Sequence, residues 1–129
     1  ATKFASVKLS ELAIGIGPFV VGPAVERKVG TSAFSAMTIN ATKWFDASWA
    51  REKGLYTEVF DSIEEMDVEI EKLATTLSNS NPQAMEGLKK IMWEGTEHWD
   101  TLLMERAVSS GKLVLSDFTK NAIEKFKSN

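Results

Sequence analysis

Cysteine is absent from this 129-residue chain, and histidine occurs once. Without a thiol there is no disulfide and no thiolate nucleophile, and cysteine usage marks no redox compartment. One imidazole and no thiolate are too few ligands for a zinc site of the usual nitrogen and sulfur type. A charge excess is lacking as well. The net charge is −3, with charged residues at 26%, which gives no general attraction for nucleic acid or an anionic membrane. The most apolar segment, Leu12 to Val25, has 14 residues and is broken by glycine and proline, whereas a membrane span takes about 20 apolar residues. No basic region precedes a compact apolar block, so no secretory leader is expected. There is no internal repeat, low-complexity tract or flexible linker. What is present, 43% hydrophobic residues in one chain of this length, is enough for one domain with an ordinary core.

Apolar and polar residues alternate loosely from Phe4 to Ile14 and predict one or two short strands. Gly15, Gly17 and Pro18 end them, and Pro18 suits the first turn of a helix. Phe19, Val20, Ala24 and Val25 give that helix an apolar stripe, with Gly30 just past its end. Thr31 or Ser32 can cap a second helix carrying Phe34 and Met37. Residues 43 to 61 read as strand, short helix and strand, over Trp44-Phe45, Ala47 to Lys53, and Leu55 to Phe60. The rest reads as helical. Ser62 and Glu65 form a capping box ahead of Ile63, Met66, Ile70, Leu73 and Leu77, which repeat at 3-4-3-4 spacing. Asn81-Pro82 caps a helix over 82–97. Another starts near His98 and runs through Arg106. The last covers Ser116 to Lys127, with Phe118, Ala122, Ile123 and Phe126 on one side.

Few residues carry chemistry. Glycines 15, 17 and 22 are spaced G-x-G-x-x-x-x-G, not as the dinucleotide fingerprint G-x-G-x-x-G, and no P-loop Lys-Ser/Thr follows. They read as a strand-to-helix turn with close packing at Gly22. His98 has no visible orienting partner and reads as a surface or interface histidine. Trp44, Trp49, Trp93 and Trp99 read as core or interface anchors. The acidic run Glu64, Glu65, Asp67, Glu69 and Glu71 reads as a solvated helix face. Glu11 is the exception: one carboxylate at the lip of the most apolar segment. Left in solvent, it is an ordinary surface acid. Folded under the turn that follows, it becomes a usable acid or base.

The stretch "FASVKLSELAIGIGP" resembles the segment F-x-x-x-E-x-x-x-G-x-x-P of the crotonase superfamily, the enoyl-CoA hydratase/isomerase fold. "VGTSAFSAMTINATKWFDASWAREKGLYTEVF" is similar to that family's next stretch, a helix followed by F-x-A-x-x-A-x-x-x-G-L and a strand. "LSDFTKNAIEKFK" is similar to its closing amphipathic helix. The resemblance runs over residues 3 to 127 and lies in the order and spacing of these motifs. It implies an α/β crotonase-like spiral fold, C-terminal portion, mostly α with a few short N-terminal strands. The catalytic unit of the family is about twice this length, so the chain is expected to be its second half. Residues 1–61 would then be the end of the crotonase-like β/α core, and 62–129 a C-terminal helical oligomerisation region.

The resemblance also implies a site. Glu11 stands where hydratases and isomerases of the family carry an acid/base glutamate. Gly15, Pro18 and Phe19 would border the acyl pocket, and Phe118 and Lys120 of the closing helix would meet coenzyme A. The substrate would be a 2-enoyl-CoA thioester, with no separate cofactor and no metal. The partners would be the N-terminal half, which supplies the oxyanion hole, and identical subunits in a trimer or hexamer. Nucleic acid and membrane are not expected partners, and the expected location is the cytoplasm. Two departures stand out. Phe19, Val20 and Val21 fill a run where many members have glycines, and Asn121 takes the place of a lysine, with Lys120 beside it. The competing readings are a non-catalytic helical oligomerisation or binding module, and a small protein unrelated to the family.

Overall fold

The computed structural model describes residues 1–127, and the side chain of Phe126 lies outside the described residues. Two strands of two residues each, β1 (Ser6–Val7) and β2 (Phe45–Asp46), pair antiparallel, with Ser6 opposite Asp46 and Val7 opposite Phe45. A parallel bridge joins Thr2 to Phe60. The helices are α1 (Gly22–Ile39), α2 (Ala47–Glu52), α3 (Ile63–Ser78), α4 (Pro82–Met92), α5 (Trp99–Val114) and α6 (Asp117–Lys127).

The strands are shorter than the alternation predicts, because local turns take the backbone donors. Gly15 N–H and Ile16 N–H bond the carbonyls of Leu12 and Glu11 at 3.1 and 2.9 Å, closing a 3₁₀ turn over Glu11–Ile14 where a strand was expected. Leu55 N–H and Tyr56 N–H both go to the Ala50 carbonyl, at 2.8 and 3.1 Å. They wrap the chain around the end of α2, so only Phe60 of the expected 55–60 strand pairs. The helix expected from Pro18 starts instead at Gly22, with Pro23 in its first turn. Pro18 is buried in the preceding turn, its carbonyl accepting from Gly22 N–H at 2.8 Å.

Gly30, at φ 76° and ψ 160°, kinks α1 into the two helical segments read from the sequence; a residue with a Cβ would be strained there. Thr31 does not cap the second segment, since its hydroxyl donates to Glu26 Oε1 at 2.8 Å. The α3 cap forms: Ser62 Oγ accepts Glu65 N–H at 3.1 Å, and Glu65 Oε2 accepts Asp61 N–H at 3.1 Å, one residue upstream of the usual return bond. Asn81 Oδ1 caps α4 through Gln83 N–H at 2.9 Å and Ala84 N–H at 3.4 Å. This helix stops at Met92 rather than 97, and Gly95 at φ 83° turns the chain. Arg27 donates to the Met92 and Glu94 carbonyls at 2.6 and 3.0 Å, satisfying groups a helix end leaves open. Helix α5 continues past Arg106 to Val114.

The core is small. Leu9, Met37 and Phe45 form its centre, with Val7, Val25, Phe34, Trp49 and Leu55 packed around them. Ala33, Ala41, Ala47 and Ala50 are buried too. Phe4 is 79% exposed, and Val7, four residues before Glu11, takes the inward position. The tryptophans divide. Trp49 packs on Phe45 with centroids 4.2 Å apart, and Trp93 meets Trp99 edge-on at 5.8 Å. Trp44 lies in solvent under the Lys8 ammonium. His98 is exposed, as are four of the five acids in the run, Glu69 being half-buried and paired with Lys72. No residue of α3, α4 or α5 is buried.

Candidate active site

Glu11 opens the 3₁₀ turn that β1 leads into. Its Oε2 is buried and has no hydrogen-bond partner. An unmet carboxylate oxygen is costly to bury, and native folds keep few of them. The turn ends at Gly15, whose φ of 83° favours glycine. A Cβ there would lie 2.4 Å from Phe118 Cδ1 and 2.9 Å from Thr119 Oγ1. The absence of that one atom lets α6 seat on the turn. Thr119 is fully buried at this seat, and Ser116 Oγ, which donates to Thr119 Oγ1 at 3.2 Å, also accepts from Thr119 N–H at 3.3 Å.

A cavity of about 460 Å³ lies beside the turn, walled by Glu11, Ile16, Gly17, Pro18, Phe19, Val20, Val21 and Ser110. Its lining is apolar apart from the Glu11 carboxylate and the Ser110 hydroxyl, the pattern of a small-molecule site with few placed polar groups. The Phe19 ring folds onto Gly17: a Cβ on Gly17 would sit 2.1 Å from Phe19 Cε1. Arg106 of α5 reaches across and donates to the Phe19 carbonyl at 3.3 Å. Gly22 packs closely, as its spacing suggested, since a Cβ there would meet Phe34 Cζ at 3.1 Å.

Of the residues singled out from the sequence, Glu11, Pro18 and Phe19 share this cavity. Gly15 packs near Phe118 where α6 seats on the turn, and neither lines this cavity. Lys120 is exposed on α6, 4.0 Å from Asp117, and does not line the cavity. Ser110, Arg106 and Thr119 were not foreseen. Nothing in their local pattern marks them, since they reach the turn only through the way α5 and α6 return to the start of the chain. A larger groove of about 620 Å³ runs between residues 55–60 and α3, remote from Glu11. Its lining includes Leu55, Tyr56, Phe60, Met66, Ile70 and Leu73 together with Glu58, Glu69 and Lys72. Among the described residues no group of three or more His, Cys, Asp or Glu is placed to hold a metal ion, and no helix is long and apolar enough to cross a membrane.

Comparison with known proteins places the fold. No protein-family model matches the sequence, and no curated protein matches it. Solved structures do. The chain is similar to an enoyl-CoA hydratase/isomerase from Pseudoalteromonas atlantica T6c, with a TM-score of 0.88 at 21% identity over 99% of this chain and 52% of that one. It is also similar to an enoyl-CoA hydratase from Mycobacterium avium, with a TM-score of 0.85 at 25% identity over 95% of this chain and 48% of that one. The chain thus has the crotonase fold of the enoyl-CoA hydratase/isomerases. It spans about half the length of these structures, consistent with the C-terminal half expected from the order of its motifs.

Proposed function

We propose that this chain supplies the C-terminal half of an acyl-CoA hydratase/isomerase site, with Glu11 as its acid/base. The observation that carries the proposal is the buried, unpartnered Oε2 of Glu11 at the wall of an apolar cavity. Hydration of a 2-enoyl thioester breaks the C2=C3 double bond. Water adds to C3 as a hydroxyl, keeping one of its protons and giving up the other, and one proton is added at C2. A carboxylate at the end of an acyl pocket can take the proton from water, and the acid form can return one to C2. Negative charge gathers meanwhile on the thioester oxygen. The two amides that hold it belong to the complementary half in this reading. Gly15, Pro18 and Phe19 border the acyl chain, and Phe118 and Lys120 face coenzyme A, the lysine as a point charge toward a phosphate. The coenzyme arrives as part of the substrate, so no separate cofactor is needed. The proposed location is the cytoplasm.

The runner-up is a non-catalytic helical oligomerisation or binding module, favoured by the exposed apolar faces of α3 and α4. An assay of crotonyl-CoA hydration separates the two. The 129-residue chain alone is expected to be silent, and the protein with its complementary half is expected to turn over. Silence of both overturns the catalytic reading in favour of the module. Activity of the isolated chain above a Glu11→Gln control overturns the need for a second half.

A further inference from the structure

We infer that Ser110 is the second polar residue of the Glu11 site, its hydroxyl orienting the water that the carboxylate deprotonates. The inference rests on the acid/base reading of Glu11 and deepens it by naming the residue that places the water. Glu11 and Ser110 supply the polar side chains of the cavity, and each is left without a protein partner. Glu11 Oε2 is buried and accepts no hydrogen bond. A serine inside a helix can spend its hydroxyl on the carbonyl one turn earlier, as Ser109 does, donating to the Glu105 carbonyl at 3.1 Å. Ser110, the next residue of α5, makes no such bond among the described residues. Its hydroxyl is half-buried at the cavity wall and free to meet a ligand. That wall is anchored. Arg106, one turn earlier on the same face of α5, donates to the Phe19 carbonyl at 3.3 Å and ties the helix to the turn that carries Phe19. The walls formed by Ile16, Pro18, Val20 and Val21 offer a water no side-chain partner. A water entering this cavity has one strong acceptor in the Glu11 carboxylate and a second in Ser110 Oγ. As the water oxygen bonds to C3, the proton directed at Glu11 passes to the carboxylate. The proton directed at Ser110 stays on the new hydroxyl, and the serine itself remains neutral throughout.

The test measures kcat and KM for crotonyl-CoA hydration, using the protein with its complementary half. Ser110→Ala is expected to lower kcat about three- to tenfold, the range of one ordinary hydrogen bond. KM is expected to stay the same, because the hydroxyl meets the water and not the thioester. Alanine favours a helix, so thermal stability is expected to hold. Ser110→Thr, which keeps the hydroxyl, is expected to retain most of the wild-type rate, an outcome that a packing role for the serine does not give. A Ser110→Ala variant at the wild-type kcat, a change confined to KM, or an equal loss in the alanine and threonine variants overturns the inference. The role of Glu11 then stands, provided that Glu11→Gln is slow. A wild type that does not hydrate the thioester, or a Glu11→Gln variant at the wild-type rate, overturns the acid/base reading, and this inference with it.

Discussion

A single missing methyl group at position 15 decides how the two ends of this chain meet. Gly15 combines a φ of 83° with a ring carbon 2.4 Å from where its Cβ would be. Gly15→Ala therefore incurs a left-handed backbone penalty of about 1–2 kcal/mol and an overpacking cost of about 1–3 kcal/mol. Urea denaturation is expected to show a loss within the sum of those ranges, with faster amide exchange at Thr119. A loss below about 0.5 kcal/mol, the ordinary level for surface substitutions, contradicts this account of the α6 seat. Glu11, Gly15 and Pro18 were legible in the sequence because their spacing is local. The partners that hold them were not. Arg106 joins Phe19 across 87 positions, and Thr119 reads as one more polar residue on a helix until the fold buries it. Sequence periodicity carries no information on such contacts.

At the scale of elements, side-chain-capped helix starts were the most legible feature, because a cap is made by residues two to four apart, whereas the start expected at Pro18 and the ends expected at 97 and 106 were displaced. Ser62, Asn81 and Gly30 all mark real boundaries or breaks. Strands were the least legible, since pairing depends on a distant segment and the local turns at 11–16 and 50–56 took the donors first. Ser62→Ala is expected to lower helix stability by about 1 kcal/mol, seen as faster amide exchange in the first turn of α3; unchanged exchange contradicts the cap. The turn between α4 and α5 offers a pH test. Hydrogen bonds from its own N–H and from Gly95 N–H hold the Glu97 carboxyl below the ordinary 4.5; the smaller effect of desolvation opposes them, and His98 and Arg27 add to them. A carboxyl lowered in the folded state adds stability above its unfolded pKa and loses it as pH falls through the folded value. The turn is therefore expected to keep this contribution at neutral pH and to lose it only below the usual carboxylate range. An NMR titration is expected to place the Glu97 midpoint below 4.5, and a midpoint at or above that value contradicts the hydrogen-bonded turn.

On the scale of the whole molecule, the surface is larger than that of a compact monomer of this mass. The accessible area is 9264 Å², against about 6,800 Å² expected for a compact monomer of this mass. The difference is of the order buried by permanent interfaces. Apolar side chains account for much of it: Ile63, Ile70 and Leu73 on α3 are 55–60% exposed, and Leu88, Ile91 and Met92 on α4 are 53–65% exposed. These faces are expected to be covered by the complementary half and by other subunits, in the trimer or hexamer the motif resemblance implies. Light scattering of the protein with its complementary half is expected to show a closed oligomer, weakened by Phe118→Ser, whose ring is 67% exposed. A monodisperse monomer, or an oligomer indifferent to that substitution, contradicts the assignment of α6 to an interface. Such covering would also complete the site, since the cavity beside Glu11 has one catalytic-type carboxyl and no oxyanion-binding partner assigned within it. The most direct test of this central claim is the hydration rate of crotonyl-CoA by the completed protein, wild type against Glu11→Gln, with thermal stability measured alongside. The account predicts a fall in kcat of about 10²- to 10⁴-fold with stability little changed. A Glu11→Gln variant that folds normally and keeps a rate within a few-fold of wild type would contradict it.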